Sequence, residues 1–138
     1  MSKVASYLQE HILGQVSTDP AVLSSMSHDA SVLEIKPEMV VFPRTTNDIR
    51  KVARFCYQLA EKGHVLPITT RGLGSDQTGA AIGKGIILST PAHMNTIYEY
   101  EPKQKLVRVQ PGVNFGALND ALRLHGVSIA SIDRKSVV

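Results

Sequence analysis

The chain has 138 residues, of which 43% are hydrophobic and 20% charged, and 15 basic against 12 acidic residues give a formal net charge of +3. This length corresponds to one domain or part of one, and so small a positive excess argues against nucleic-acid binding. The single cysteine, Cys56, excludes a disulfide within the chain, and no run of 18 apolar residues is present to cross a membrane. The first residues also lack the apolar segment of a signal peptide, so we expect a cytoplasmic protein.

The first 36 residues are expected to form an N-terminal helical arm. Apolar residues at helical spacing predict a helix over residues 3–14, which Gly14 would end. Asp19 precedes a proline and is a suitable N-cap for a second helical turn. Residues 24–36 are rich in serine and lack a period, and they are interpreted as irregular.

A strand, a helix and a second strand follow in about 30 residues, which is the size of a βαβ unit. The apolar run Met39–Phe42 lies between two prolines and predicts a buried strand. A helical apolar period then extends from a cap at Thr45 or Thr46 to a stop at Gly63. Residues 65–69 predict another buried strand, and we expect the two strands to be parallel.

The last part of the chain alternates between strands and a helix. Residues 85–89 predict a third strand, and residues 96–100 and 106–110 predict an antiparallel hairpin across a short proline-containing turn. Asn114 is expected to cap a final helix that Gly126 stops.

The connection between the second and third of these strands is unusually rich in glycine. Five of the ten glycines fall between Gly72 and Gly85. Glycine tolerates positive φ, and a run of small residues with free N–H groups can form a concave anion site. We therefore interpret residues 70–79 as a cradle for a cofactor's phosphates, although a glycine-rich connection without a ligand also accounts for the composition.

Two well-known phosphate motifs do not fit this loop. The dinucleotide fingerprint requires a glycine where the chain has Gln77, and the P-loop requires Lys and Ser or Thr where it has Ala80 and Ala81. The five histidines show no metal-ligand spacing, so we predict no metal site. No nucleophile–base arrangement is recognisable either, and we predict no catalytic residue in this chain.

The order of these segments resembles the FAD-linked oxidase family of the vanillyl-alcohol-oxidase/PCMH type, and within it the D-lactate dehydrogenase and glycolate oxidase FAD subunit group. The resemblance extends from about Asp29 to Gly126 in one register. The segments that carry it are MVVFPRTT at 39–46, LPITTRGLGSDQTGA at 66–80, GIIL at 85–88, VRVQPGV at 107–113, LNDAL at 118–122 and the His-Gly pair at 125–126.

The resemblance implies an α/β (α+β) PCMH-type FAD-binding fold, of which residues 37–132 form the first subdomain, with a small mixed sheet flanked by helices. The loop would bind the FAD pyrophosphate through backbone amides, and Pro43 and Gly112 would line the adenosine or flavin side. The implied cofactor-binding residues of the loop are Arg71, Gly72, Leu73, Gly74, Ser75, Asp76, Gln77, Thr78 and Gly79.

Three polar residues of the loop carry finer expectations. The hydroxyls of Ser75 and Thr78 offer further donors. The Asp76 carboxylate should point away from the diphosphate or cap local N–H groups. Some members of the family attach FAD covalently through a histidine at the position that Ser75 occupies here, so we expect non-covalent FAD.

The resemblance further implies hydride transfer from a 2-hydroxy acid such as D-lactate or glycolate to FAD, with an electron acceptor that the sequence does not identify. An FAD-dependent sugar or alcohol oxidase of the same family, and a non-catalytic anion-binding module, are the alternatives.

Residues 133–138 are expected to be a non-native tail. They equal the translation of GAT CGG AAG AGC GTC GTG, a common sequencing adapter. We accordingly expect the family pattern to be truncated near Ile132, before the second subdomain, and the chain alone to be inactive.

Overall fold

The structure is a computed structural model that describes residues 3–129. The expected tail at 133–138 lies outside the described residues. The helices are α1 (Lys3–His11), α2 (Pro20–Met26), α3 (Thr46–Glu61) and α4 (Phe115–Arg123), and the strands are β1 (Gln15–Ser17), β2 (Met39–Phe42), β3 (Ile68–Arg71), β4 (Ile86–Ser89), β5 (Ile97–Glu101) and β6 (Leu106–Val109).

Strands β1 to β4 form a mixed sheet in the order β1-β2-β4-β3. Strand β1 pairs antiparallel with β2, whereas β2 and β3 both pair parallel with β4. The predicted parallel direction of β2 and β3 is therefore confirmed, but β4 lies between them. Strand β1 was not predicted, because three residues are too few to show a period of two.

Four predicted boundaries are wrong by a few residues, among them the end of α4, which lies at Arg123 rather than next to Gly126. The first helix ends at His11 rather than Gly14, and α2 continues through Met26 into the segment interpreted as irregular. The strand predicted at 65–69 is β3, at Ile68–Arg71. Its ladder begins later because Pro67 has no N–H to donate, although its carbonyl accepts from the Ile86 N–H at 2.8 Å.

The core lies on both faces of the two central strands, β2 and β4. One face packs against α1 and α3 through Leu8, Val52 and Cys56, and the other packs Val40 and Ile87 against α2. Both faces of these strands are covered, which explains why each reads as a continuous apolar run in the sequence.

The helix caps and the hairpin are as predicted. Thr45 caps α3 in a capping box, and Asp19 and Asn114 cap α2 and α4. Strands β5 and β6 form a separate antiparallel pair. Among residues 3–129, no helix is long and apolar enough to cross a membrane.

Candidate cofactor-binding site

The glycine-rich loop leaves the sheet at the carboxyl ends of its parallel strands. Because β2, β3 and β4 run in the same direction, their last residues, Phe42, Arg71 and Ser89, lie along one edge of the sheet. In open α/β sheets this edge is the usual place for ligands. The loop, residues 72–81, therefore starts where the topology favours a binding site.

The turn at Pro111 and Gly112 lies at the same edge. The Thr90 hydroxyl, just after β4, donates to the Pro111 carbonyl at 3.4 Å, and the Gly112 N–H donates to the Met94 carbonyl at 2.8 Å. A Cβ on Gly112 would lie 2.5 Å from the Thr90 carbonyl oxygen, so only glycine permits this approach. The Gly112 backbone is thus buried against the end of β4.

A cavity of about 310 Å³ joins the loop to this turn. Its lining consists of Ile49, Thr70, Arg71, Gly72, Leu88, Thr90 and Pro111. The fold thus brings the start of the loop next to the proline-glycine turn, two segments that the sequence analysis assigned to FAD separately. The volume is at the small end of the range for ligand pockets and has room for part of a dinucleotide.

Pro43 takes a different position from the other candidate residues. Its side chain is less than 2% exposed, and the Gly14 backbone packs against its Cα. The ring therefore has almost no surface for a ligand. A contact between Pro43 and FAD stays a prediction, and such a contact would have to come from the main chain around it.

Asp76 folds its carboxylate back onto the loop. Its Oδ2 accepts from the Thr78 N–H at 2.8 Å, the Thr78 hydroxyl at 2.7 Å and the Ala80 N–H at 2.9 Å. The expectation that Asp76 caps local N–H groups is confirmed. Because the Thr78 hydroxyl donates to this carboxylate, it is not free to make the donation to a phosphate that the sequence analysis had expected.

Six main-chain donors of the loop remain available. Within the described part of the chain, the N–H groups at 72–75, Gln77 and Gly79 donate to no protein acceptor. Gly74 and Gly79 have φ of 74° and 82°. Backbone donors presented by such a loop match the oxygens of a phosphate, so these residues fit the diphosphate of a dinucleotide.

A segment that sequence reasoning missed supports the back of the loop. Residues 27–35, here called the buttress, close on themselves through a hydrogen bond from the Ile35 N–H to the Ser27 carbonyl at 2.9 Å. The Ala30 N–H donates to the Asp76 carbonyl at 2.9 Å, and Leu33 lies against Gly79. No periodicity marks this segment, so nothing in the sequence signalled its role.

The buttress also carries a carboxylate close to the loop. A hydrogen bond from Ser31 holds the pKa of the Asp29 carboxyl below its usual value, although partial desolvation and the negative charge of Asp76 act in the opposite direction. Asp29 is therefore ionised at neutral pH.

Arg71 turns its guanidinium into the protein, where its Nη1 donates to main-chain carbonyls. Direct contact of Arg71 with phosphate stays a prediction. Among the described residues, no group of three His, Cys, Asp or Glu side chains is placed to hold a metal ion.

Comparison with known proteins identifies the family. A model described as an FAD binding domain matches residues 37–136. The chain belongs to this family. Because the match covers most of the chain, including the loop and the Pro111 turn, the backbone cradle described above lies in an FAD-binding domain of the PCMH type.

The family members with similar sequences include dehydrogenases of 2-hydroxy acids. The chain is 38% identical over 122 residues to D-2-hydroxyglutarate dehydrogenase from Escherichia coli (strain K12), covering 88% of the chain and 12% of that protein. It is 28% identical over 133 residues to the glycolate oxidase subunit GlcD of the same organism, covering 94% of the chain and 26% of the subunit. The chain thus spans a small part of both relatives.

A solved structure of alkyldihydroxyacetonephosphate synthase shares the fold, with a TM-score of 0.77 over 93% of this chain and 26% of that one. The sequence identity is 16%, so the likeness concerns the fold alone. It confirms the expected mixed sheet flanked by helices as the N-terminal part of PCMH-type FAD enzymes.

Proposed function

We propose that the full-length protein is an FAD-dependent dehydrogenase that oxidises a 2-hydroxy acid, and that this chain supplies the loop for the FAD diphosphate. The observation that carries the proposal is the 38% identity to D-2-hydroxyglutarate dehydrogenase over 122 residues, which include the loop. The second relative, a glycolate oxidase subunit, points to the same substrate class.

The residues of the chain act by binding and orientation. The diphosphate accepts from the N–H groups at 72–75, Gln77 and Gly79. The Asp76 carboxylate accepts hydrogen bonds from Thr78 and Ala80 instead of facing the diphosphate. The cavity between Gly72 and Pro111 receives an adjacent part of the cofactor. FAD, when bound, supplies the acceptor for the substrate hydride.

A chimera tests whether the segment performs this role. The matching segment of the Escherichia coli D-2-hydroxyglutarate dehydrogenase is replaced by the corresponding residues of this chain. We expect the purified chimera to contain FAD and to oxidise D-2-hydroxyglutarate with a dye as electron acceptor. A folded chimera that contains no flavin under conditions where the parent enzyme does would contradict the proposal.

A substrate panel on the full-length protein tests the substrate class. D-2-hydroxyglutarate, D-lactate and glycolate are compared with sugars and primary alcohols, again with a dye as acceptor. We expect turnover with a 2-hydroxy acid. Turnover confined to sugars or alcohols would favour the other oxidase class, and FAD binding without turnover of any of them would favour a non-catalytic module.

A further inference from the structure

Arg71 joins three segments that surround the glycine-rich loop. It is the last residue of β3 and is 9% exposed. Its Nη1 donates to the His28 carbonyl at 2.8 Å and to the Ala81 carbonyl at 3.2 Å. His28 belongs to the buttress and Ala81 ends the loop. One guanidinium group therefore connects the strand, the buttress and the far end of the loop.

The loop backbone crosses directly over this guanidinium at Gly74. A Cβ on Gly74 would lie 2.2 Å from Nη2 and 2.5 Å from Cζ of Arg71. The loop therefore packs directly against the Arg71 side chain where it turns, and Gly74 provides both the positive φ and the space that this close approach requires.

The hydrogen bonds of the Arg71 guanidinium go to main-chain carbonyls. A buried cation is normally paired or coordinated. Here the charge is held by neutral carbonyls directly behind donors that face a diphosphate site, so it favours an anion on the other side of the loop.

We infer that Arg71 is a positioning residue that holds loop 72–81 in its anion-binding shape from behind, without touching the phosphate. The inference rests on the proposed FAD site. A lysine at this position keeps the charge but lacks the planar group that bonds both carbonyls and supports Gly74.

Hydrogen exchange of the full chain, followed by mass spectrometry, tests this role without flavin. We expect Arg71→Lys to raise exchange at 72–81 and 28–35 by about tenfold or more, as the loss of hydrogen bonds from a charged donor implies. Exchange in β4 (Ile86–Ser89) should be unchanged. Arg108→Lys, which alters an exposed arginine paired with Glu99, is the matched control. Unchanged exchange in the loop and buttress would overturn the inference.

A double-mutant cycle tests the contact with Gly74. Removing the guanidinium relieves the clash with a Cβ at position 74. The double variant Gly74→Ala/Arg71→Lys should therefore change the unfolding equilibrium constant by less than the product of the two single-variant changes. Gly63 has a similar φ of +83°, and a Cβ added there would have no neighbour within 4 Å. The changes in the unfolding equilibrium constant caused by Gly63→Ala and Arg71→Lys should therefore multiply, as independent effects do. Independent effects of Gly74→Ala and Arg71→Lys would overturn the inference. If the Arg71→Lys variant does not fold, Gly74→Ala alone tests the contact, because it must still raise hydrogen exchange in loop 72–81.

Flavin titration of the chimera described above separates positioning from simple loss of structure. We expect Arg71→Lys to weaken binding of FAD by about tenfold or more and to leave binding of riboflavin, which has no phosphate, unchanged. Equal weakening of both ligands would overturn the positioning role. Loosening of the loop in a chimera that binds no FAD even with Arg71 in place would instead contradict the proposed function and leave the position of Arg71 as inferred.

Discussion

The carboxylate of Asp48 holds together the start of α3 and two loops next to the candidate site. Asp48 is 0% exposed. Its Oδ1 accepts from the Leu13 N–H at 3.0 Å, and its Oδ2 accepts from the N–H groups of Arg44 at 2.9 Å and Thr45 at 3.2 Å. The next residue, Ile49, lines the cavity. Loss of these bonds should therefore destabilise the fold close to the site.

Asp48→Asn preserves the shape of the side chain but leaves a single oxygen to accept from the three N–H groups that the two carboxylate oxygens now share. At least one buried N–H then faces the amide NH₂, and the remaining bonds lose the charge. From about 1.5–3 kcal/mol for a hydrogen bond to a charged group and about 1–3 kcal/mol for an unsatisfied buried donor, we expect a loss of about 3–5 kcal/mol in the free energy of unfolding. With a urea m value of about 2 kcal/mol/M, the midpoint should fall by about 2 M.

The effect should depend on pH in a defined direction. Burial raises the pKa of the Asp48 carboxyl, but the hydrogen bonds from Leu13, Arg44 and Thr45 outweigh it and lower the pKa below its usual value. Since the folded pKa is lower than the unfolded value of about 3.9, the stabilisation is present above about pH 4 and is lost as the pH falls through the folded pKa. The difference between wild type and Asp48→Asn should shrink accordingly.

Urea unfolding followed by circular dichroism at pH 7, 5 and 3 measures both quantities. Asp120→Asn is the control, because Asp120 is an exposed carboxylate paired with Arg123 at 3.6 Å, and its loss should cost less than about 1 kcal/mol. Equal stability of Asp48→Asn and wild type at pH 7, or a difference that does not change down to pH 3, would refute this reasoning.

Three further predictions concern the site. Gly112→Ala should lower the free energy of unfolding by about 1–3 kcal/mol in urea titrations, because its Cβ would meet the Thr90 carbonyl at 2.5 Å; an unchanged midpoint would contradict the close packing of this turn. Gly72→Ala should leave stability unchanged, since nothing lies within 4 Å of its Cβ, but should lower the flavin content of the chimera; full flavin occupancy would show that no ligand approaches there. Because the family resemblance matches Ser75 to the attaching histidine of some members, we expect acid precipitation of the chimera to release all its FAD to the supernatant, and a yellow pellet would exclude non-covalent binding.

Features that depend on near neighbours in the chain were readable from the sequence. The caps at Asp19, Thr45 and Asn114 were predicted correctly, since a cap bonds N–H groups two or three residues away. The buried strand β2 was predicted from its continuous apolar run, and β4 was predicted as a strand. Strand β3 was also predicted to be buried, but it lies at the edge of the sheet and is only partly buried. The inward turn of the Asp76 carboxylate was also foreseen, because its partners lie two and four residues further along.

The amino-acid sequence by itself thus determined most of the elements, the family and the position of the donor-rich loop. The tertiary structure decided that β4 lies between β2 and β3, that the Pro111 turn meets the loop, and that the buttress supports it. It also turned Arg71 inward, to carbonyls 10 and 43 residues away. The physical reason is the range of the contacts: periodicity and caps are local in the chain, whereas these arrangements form only when distant segments pack together.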